Sequence, residues 1–366
     1  MEYVHHIYMG MLQYPYSRFV IVVPEEFNEK KSFYNWPYAE HVVFDFIPTN
    51  IVSQTNKGNL LQASYKRSKL LKEYVSKYNA INVLLLTLMA YIPCLPFFML
   101  KGINISGIIY KIYLYKWKDL FFVNKLMEIV KYKIIVSSNI INSVFILNDN
   151  SAVAKLNRLY RTKKFKFLVD PYNETNYQPK DIRSDLSIKP EQKIFLHFGG
   201  LSRRKGTLII LEAIKLIPKN RQNEFVFIFA GLIYDGIKSE FYNLVEEVKG
   251  KVRVIVFDEF CTNELLCDLC YTCDSVLIPY CGIAQSSGAL GYAAWNEKPV
   301  LGPSLGLLGK LIRKNKLGES ITNLSPQLIA TYFLHFKKHK INTRYKDCIK
   351  LKNFINQVFD VFVIKS

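Results

Sequence analysis

The chain has 366 residues and a formal net charge of +19, with 50% hydrophobic and 14% aromatic residues. That composition excludes a disordered chain and leaves room for two domains, each with its own core. The charge points to an anionic partner without choosing among nucleic acid, an acidic membrane surface and a phosphorylated substrate.

Met1-Glu-Tyr-Val-His-His lacks a basic segment followed by an apolar stretch, so no secretory signal is expected. Val4, Ile7, Tyr8 and Met11 fall at helical spacing. Strand-like runs follow at 19–23, 42–46, 82–88, 105–112 and 144–147, with helical stretches at 60–78 and 120–132. Residues 81–100 are almost free of polar groups and marginally long enough to span a bilayer. Pro93 and Pro96 break that run, which reads as a buried strand followed by a packed helix. Basic and aromatic residues interleave at 110–118 and 158–167, which predicts docking on anionic lipid. His41, Lys111 and Tyr113 are candidates for chemistry in this half, beside the plainer reading of a structural histidine, and no catalytic residue is assigned.

The second half alternates more regularly. Strands are predicted at 194–198, 225–230, 252–256, 276–278 and 300–301, with helices at 207–217, 239–248, 263–270, 289–295 and 307–314. Such alternation is the signature of an α/β protein with a doubly wound parallel sheet. The polar, proline-bearing run 170–180 is the best linker. The expected division is a Rossmann-like domain at 1–170, a linker at 171–185, a second such domain at 186–340 and a helical segment at 341–366. Two domains of this kind place a ligand in a cleft between their sheet edges.

Four of the seven cysteines crowd into 261–273, with Cys267, Cys270 and Cys273 three apart. That spacing is superficially metal-like. Helical periodicity running into an apolar strand reads instead as buried thiols in a reducing compartment. His335 and His339 are read on one helix face, but Phe336 stands where the H-E-x-x-H zinc pattern needs glutamate. No metal and no cofactor are expected.

Two motifs carry chemistry. Phe195-Leu-His-Phe-Gly-Gly-Leu-Ser-Arg-Arg-Lys-Gly-Thr207 is an apolar run that ends in two glycines and a cationic loop. Gly199 and Gly200 let the backbone approach a ligand, while Arg203, Arg204 and Lys205 can neutralise a diphosphate. The Walker A spacing is not met, and a solvated basic turn is the alternative. In the second motif, Gln285-Ser-Ser-Gly-Ala289 opens a small-residue helix. The amides at such a start form an anion site, beside the simpler role of Ser286 or Ser287 as an N-cap.

Taken in order, Gly199-Gly-Leu-Ser-Arg-Arg-Lys-Gly206, Phe229-Ala-Gly231, Asp258-Glu-Phe260, Asp274-Ser-Val-Leu-Ile-Pro-Tyr280, Ser286-Ser-Gly288 and Glu297-Lys-Pro-Val-Leu301 resemble the donor domain of bacterial family 4 GT-B glycosyltransferases. The resemblance covers about 170–317 and is weaker before it. It implies a retaining, metal-independent, hexosyltransferase-type transfer from a nucleotide-diphosphate sugar to a saccharide or lipid-linked acceptor in surface polysaccharide synthesis. The protein would work in the cytoplasm, on the inner face of the plasma membrane. By match to the motif, Lys205 meets the diphosphate, Arg203 or Arg204 supports it, and Ser287 and Gly288 bind the distal phosphate. Glu259 and Phe260 lie where the family holds the base, with Gly199, Gly200, Ser286 and Ala289 completing the donor set.

The departures from the family are specific. Two family glutamates correspond to Ala284 and Tyr292, and a family arginine corresponds to Gly200. A non-catalytic nucleotide-sugar-binding protein of the same fold is therefore the first alternative. A nucleic-acid-binding protein, suggested by charge alone, is the second, although no helix-turn-helix, RRM, KH or zinc-finger pattern is present. The family also opens with a buried strand where this chain has helical spacing, so its first sheet is expected to lack that strand, through a truncated or misassigned start.

Overall fold

The computed structural model describes residues 2–362 apart from 33, 99–101, 116, 118–119, 173, 175–176, 283 and 285. The chain divides into two compact units, Met1–Val169 with Leu351–Ser366, and Asp170–Lys350.

In the first unit the strands are β1 (Phe19–Pro24), β2 (Val42–Ile47), β3 (Asn82–Leu85), β4 (Asn104–Ile109), β5 (Ile141–Leu147) and β6 (Phe165–Leu168). Its helices are α1 (Glu2–Met11), α2 (Phe27–Lys31), α3 (Thr49–Asn56), α4 (Leu60–Tyr78), α5 (Leu95–Phe98), α6 (Phe122–Ser137) and α7 (Asn150–Leu159). The bounds of α4 follow from local chemistry. Asn59 and Gln62 form a reciprocal capping box at its start, and Asn79 ends it in the left-handed region. β3, β4, β5 and β6 form one parallel sheet, and β1 and β2 form another. The four-stranded sheet is covered by apolar side chains that include Leu88, Tyr132 and Ile135. Val4 and Tyr8 of α1 pack with Ile21, Val23 and Val42.

Among the described residues no strand joins β1 to β3. Phe19, Val20 and Val22 of β1, and Val83 and Leu84 of β3, are only half-buried. Their continuous apolar runs are of the kind found in strands covered on both faces.

The second unit holds β7 (Lys193–Phe198), β8 (Phe225–Ala230), β9 (Arg253–Phe257), β10 (Ser275–Leu277), β11 (Val300–Pro303) and β12 (Gly318–Ile321). The helices are α8 (Thr207–Lys215), α9 (Asp235–Val248), α10 (Asn263–Thr272), α11 (Gly288–Trp295), α12 (Gly306–Asn315), α13 (Pro326–His335) and α14 (Arg344–Cys348). Its six strands run in the order β12-β11-β10-β7-β8-β9 and all pair in parallel. Phe195, Phe227, Phe229 and Phe333 fill the core beside this sheet. The chain then returns to the first unit as α15 (Leu351–Phe359), where the Gln357 side chain accepts from the Val169 amide at 2.8 Å.

Several expectations need correction. The run 341–366 is not one segment, because α14 lies in the second unit and α15 in the first. Residues 171–185 belong to the second unit, since Tyr172 and Ile182 are buried and Tyr172 stacks on Trp295. Residues 173 and 175–176 of that run lie outside the described residues, as do 99–100 of the apolar run 81–100. α13 stops at His335, so His339 shares no helix face with it. The basic-aromatic runs are partly core. Tyr113 and Phe165 are buried, Phe165 lies in β6, and residues 116 and 118 lie outside the described residues. Among the described residues no helix is long and apolar enough to cross a membrane.

Candidate functional site

Strand register places the motifs on one edge of the second sheet. Phe198 lies opposite Ala230, and Ala230 opposite Phe257. The loops that begin at Gly199, Gly231 and Asp258 therefore leave the same, C-terminal edge. That edge is where open parallel sheets bind ligands.

The cationic loop is built by a polar relay from a strand interior. His197 sits among the buried apolar residues Ile194, Phe195, Leu196 and Phe198 of β7 and is 1% exposed. Its Nδ1 lies 2.8 Å from the Leu277 carbonyl and its Nε2 lies 3.0 Å from Thr207 Oγ1. A carbonyl only accepts, so Nδ1 carries the proton. Burial pushes the His197 pKa down to about 4, with the Lys205 charge acting the same way and the Leu277 bond opposing. The ring is therefore neutral near pH 7, Nε2 accepts, and the Thr207 hydroxyl donates to it. Thr207 Oγ1 also accepts from the Ser202 amide at 3.0 Å, which closes the loop over the start of α8. Gly206 adopts φ +74°, and a Cβ there would stand 2.2 Å from the Pro279 carbonyl oxygen. Only glycine fits that turn without displacing backbone.

The three cations of the loop do not act alike. Lys205 leans over Gly199, so that a Cβ at 199 would lie 2.5 Å from its Nζ. Its ammonium is 5.5 Å from the centre of the Tyr280 ring, and the Arg204 guanidinium is 6.0 Å from the same ring. Arg203 turns the other way and pairs with Glu240 of α9 at 2.6 Å, with both side chains exposed. Gly200 faces Tyr234, whose ring would meet a Cβ at 2.8 Å. An arginine at position 200 would have to displace that ring, which is itself exposed.

Tyr280 connects this loop to the second motif. Its hydroxyl accepts from Ser287 Oγ at 3.2 Å. Ser287 precedes α11 but makes no side-chain cap to it. The Leu290 amide donates to the Ser287 carbonyl at 3.1 Å, the amides ahead of it have no preceding helical turn to bond to, and the helix dipole adds positive potential there. Gly288 is the first residue of α11, and a Cβ there meets nothing within 4 Å. Ala289 is buried and Ser286 half-buried, while Gln285 lies outside the described residues.

At the end of β9, Asp258 turns inward. It accepts from the Ile233 amide at 2.9 Å and the Tyr242 hydroxyl at 3.1 Å, and pairs with Lys238 at 2.8 Å. Burial opposes its ionisation, but these partners outweigh it and hold the carboxyl below its usual range. Glu259 and Phe260 are exposed at the same edge. The two positions without family glutamates are closed: Ala284 is buried, and Tyr292 is buried with its hydroxyl donating to Asn263 at 2.9 Å.

The candidates of the first unit carry no comparable arrangement. His41 Nε2 lies 3.1 Å from the Met11 carbonyl. The buried Tyr113 pairs its hydroxyl with that of Tyr160 at 3.0 Å, and Lys111 is exposed. In the second unit Cys267, Cys270 and Cys273 are buried, and burial pushes the Cys273 thiol up to about 12. Among the described residues no group of three His, Cys, Asp or Glu side chains is placed to hold a metal. Sequence reasoning missed His197, Tyr234 and the bridging role of Tyr280. A polar residue inside an apolar strand was the available signal for the first.

No family model and no curated protein matches this sequence. Solved structures do match it. HepE from Anabaena, in complex with UDP and glucose, has a TM-score of 0.65 at 16% identity, covering 98% of this chain and 95% of its own. WaaG, a glycosyltransferase involved in lipopolysaccharide biosynthesis, has a TM-score of 0.66 at 14% identity, covering 95% and 100%. A glycosyltransferase from Rickettsia africae ESF-5 has a TM-score of 0.63 at 13% identity, covering 97% and 92%. The likeness shows that this chain has the α/β GT-B fold, built from Rossmann-like units with parallel sheets.

Proposed function

We propose that this protein is a glycosyltransferase that moves a sugar from a nucleotide-diphosphate donor to a saccharide or lipid-linked acceptor in surface polysaccharide synthesis. The observation that carries this reading is the convergence of Arg204, Lys205 and the uncapped start of α11 around Tyr280. Two cations and a helix N-terminus suit a diphosphate, and they stabilise charge that grows as a nucleoside diphosphate leaves. Gly199 and Gly200 give the backbone room, the amides of Ser287 and Gly288 take the distal phosphate, and Ser286 and Ala289 flank them. Phe260, with Glu259, offers an exposed surface for the base. The Arg203–Glu240 pair is exposed and worth little, so Arg203 can turn to the donor.

Positive charge supplied by the protein supports a metal-independent transfer, and the family resemblance supports retention. HepE is described in complex with UDP-glucose, which makes uridine the first base to try. A cytoplasmic site at the inner membrane face suits a lipid-linked acceptor. Ala284 and Tyr292 favour a second reading, in which the protein binds nucleotide sugars without transfer.

A thermal-shift panel of UDP-, GDP- and ADP-sugars tests the proposal. A ligand at a hundred times its Kd adds about 2.7 kcal/mol of apparent stability. One base should raise the melting temperature clearly. Release of the nucleoside diphosphate from that donor then distinguishes transfer from binding alone.

A further inference from the structure

We propose that the second unit carries a saccharide-binding pocket at the far end of α11 from the donor site. The pocket stands on its own geometry, and only its use, to hold a saccharide acceptor, rests on the transferase reading.

α10, the end of α11 and the run after Asp170 enclose a cavity of about 380 Å³, whose walls include Tyr172, Cys267, Tyr271 and Trp295. α11 spans eight residues, so this cavity lies one helix length, about 12 Å, from Gly288. Packing sets its depth. Tyr172 stacks on Trp295 with ring centres 4.6 Å apart and a tilt of 16°. The Tyr172 hydroxyl lies 3.2 Å from Cys267 Sγ, and both residues are buried. Tyr271 is 48% exposed, and Lys298 lies 5.7 Å from the centre of its ring.

Glu297 distinguishes this cavity from a gap in packing. Its amide donates to the Ala294 carbonyl at 3.2 Å, and the Lys298 amide donates to the Ala293 carbonyl at 2.8 Å. These are the hydrogen bonds of a Schellman turn, with Glu297 at the position that glycine usually takes. Glu297 adopts φ +57° there, a conformation that is costly for a residue with a Cβ. Costly backbone of this kind points to function. The turn sets the Glu297 carboxylate at the cavity, 2.7 Å from Lys346 Nζ. Beside it Asn296 donates its side-chain amide to the Tyr292 carbonyl at 2.9 Å, which leaves its amide oxygen to accept.

These groups select a neutral saccharide. A pyranose has an apolar C–H face and a rim of hydroxyls that both donate and accept. The Tyr271 ring suits the face, while the carboxylate, the ammonium and the amide oxygen suit the rim. The Glu297–Lys346 pair brings both signs of charge to one place, so neither a cation nor an anion gains from it. A flat nucleobase cannot slip between Tyr172 and Trp295, because those rings already stack on each other. An apolar ligand would strip water from polar groups without replacing its hydrogen bonds.

The test is calorimetric titration of the full chain with maltotriose, cellotriose and triacetylchitotriose, with and without UDP. The wild type should bind at least one of them saturably and with the same affinity in both conditions, so a failed donor site would leave this result standing. Tyr271→Ala should weaken that binding tenfold or more. Glu297→Gly should do the same yet melt no lower than the wild type, because glycine relieves the left-handed turn. A merely structural pair with Lys346 would leave saccharide affinity unmoved. Three results would overturn the proposal. One is wild type that binds none of the three saccharides, and another is binding that both variants leave intact. The third is displacement of the saccharide by UDP, which would place it at the donor edge instead.

Discussion

The Lys205 ammonium lies 5.5 Å from the centre of the Tyr280 ring, and the hydroxyl of that ring is the acceptor for Ser287. One aromatic side chain thereby holds the cationic loop and the start of α11 in a fixed relation. The preorganisation of two distant motifs rests on it, and it is separable by mutation.

Tyr280→Phe keeps the ring and loses the bond to Ser287, so nucleotide affinity should fall only a few-fold, in keeping with about 1 kcal/mol for a hydrogen bond. Tyr280→Ala removes the cation–π contacts as well and should cost about tenfold or more. Calorimetric titration of the two variants checks the order. Equal affinities would show that Tyr280 organises nothing.

Glycines 206 and 288 should behave oppositely. Gly206→Ala places a Cβ against the Pro279 carbonyl at positive φ, and should cost at least about 1 kcal/mol of stability by thermal melting. Gly288→Val meets open space, so it should fold normally and lose nucleotide binding because the side chain stands where the phosphate would approach.

Neutral His197 makes the loop sensitive to acid. The unfolded histidine takes up a proton below about 6.5, whereas the folded one resists until about 4. Between these values the unfolded state binds more protons, so stability falls as pH falls, by roughly 3 kcal/mol at pH 4. His197→Gln should be less stable at pH 7 but should lose stability less steeply between pH 6.5 and 4. Parallel pH profiles of the two proteins would contradict the account.

β1 and β3 should be the weak strands. Both are half-buried and unjoined, whereas β7 and β8 are almost fully buried in a continuous sheet. Hydrogen exchange followed by mass spectrometry should show faster exchange in 19–24 and 82–85 than in 193–198 and 225–230. Equal protection would mean that the edges of β1 and β3 are covered.

The second unit was legible in the sequence because its strands are short apolar runs cut by glycines, as at Phe225–Ala230 before Gly231. The stretch 60–78 was legible as a helix, and the structure adds its caps at Asn59 and Asn79. Less legible were features that only tertiary packing decides. β6 was hidden in a run that looked basic, because Phe165 and Leu168 are buried while Lys166 between them is exposed. The return of α15 to the first unit depends on contacts distant in sequence. At the site, the residue types of the cationic loop were readable, but Arg203 turning to Glu240 and the Tyr234 ring standing beside Gly200 are three-dimensional facts.

The most direct test of the central claim is calorimetric titration of UDP, GDP and ADP into the wild type and into Lys205→Ala. At least one nucleotide should bind the wild type at one site per chain. Lys205→Ala should weaken that binding about tenfold or more, near 1.4 kcal/mol, while its melting temperature stays unchanged without ligand. Failure of all three nucleotides to bind, or binding that the folded Lys205→Ala variant leaves unaltered, would contradict a diphosphate site on this edge of the second sheet.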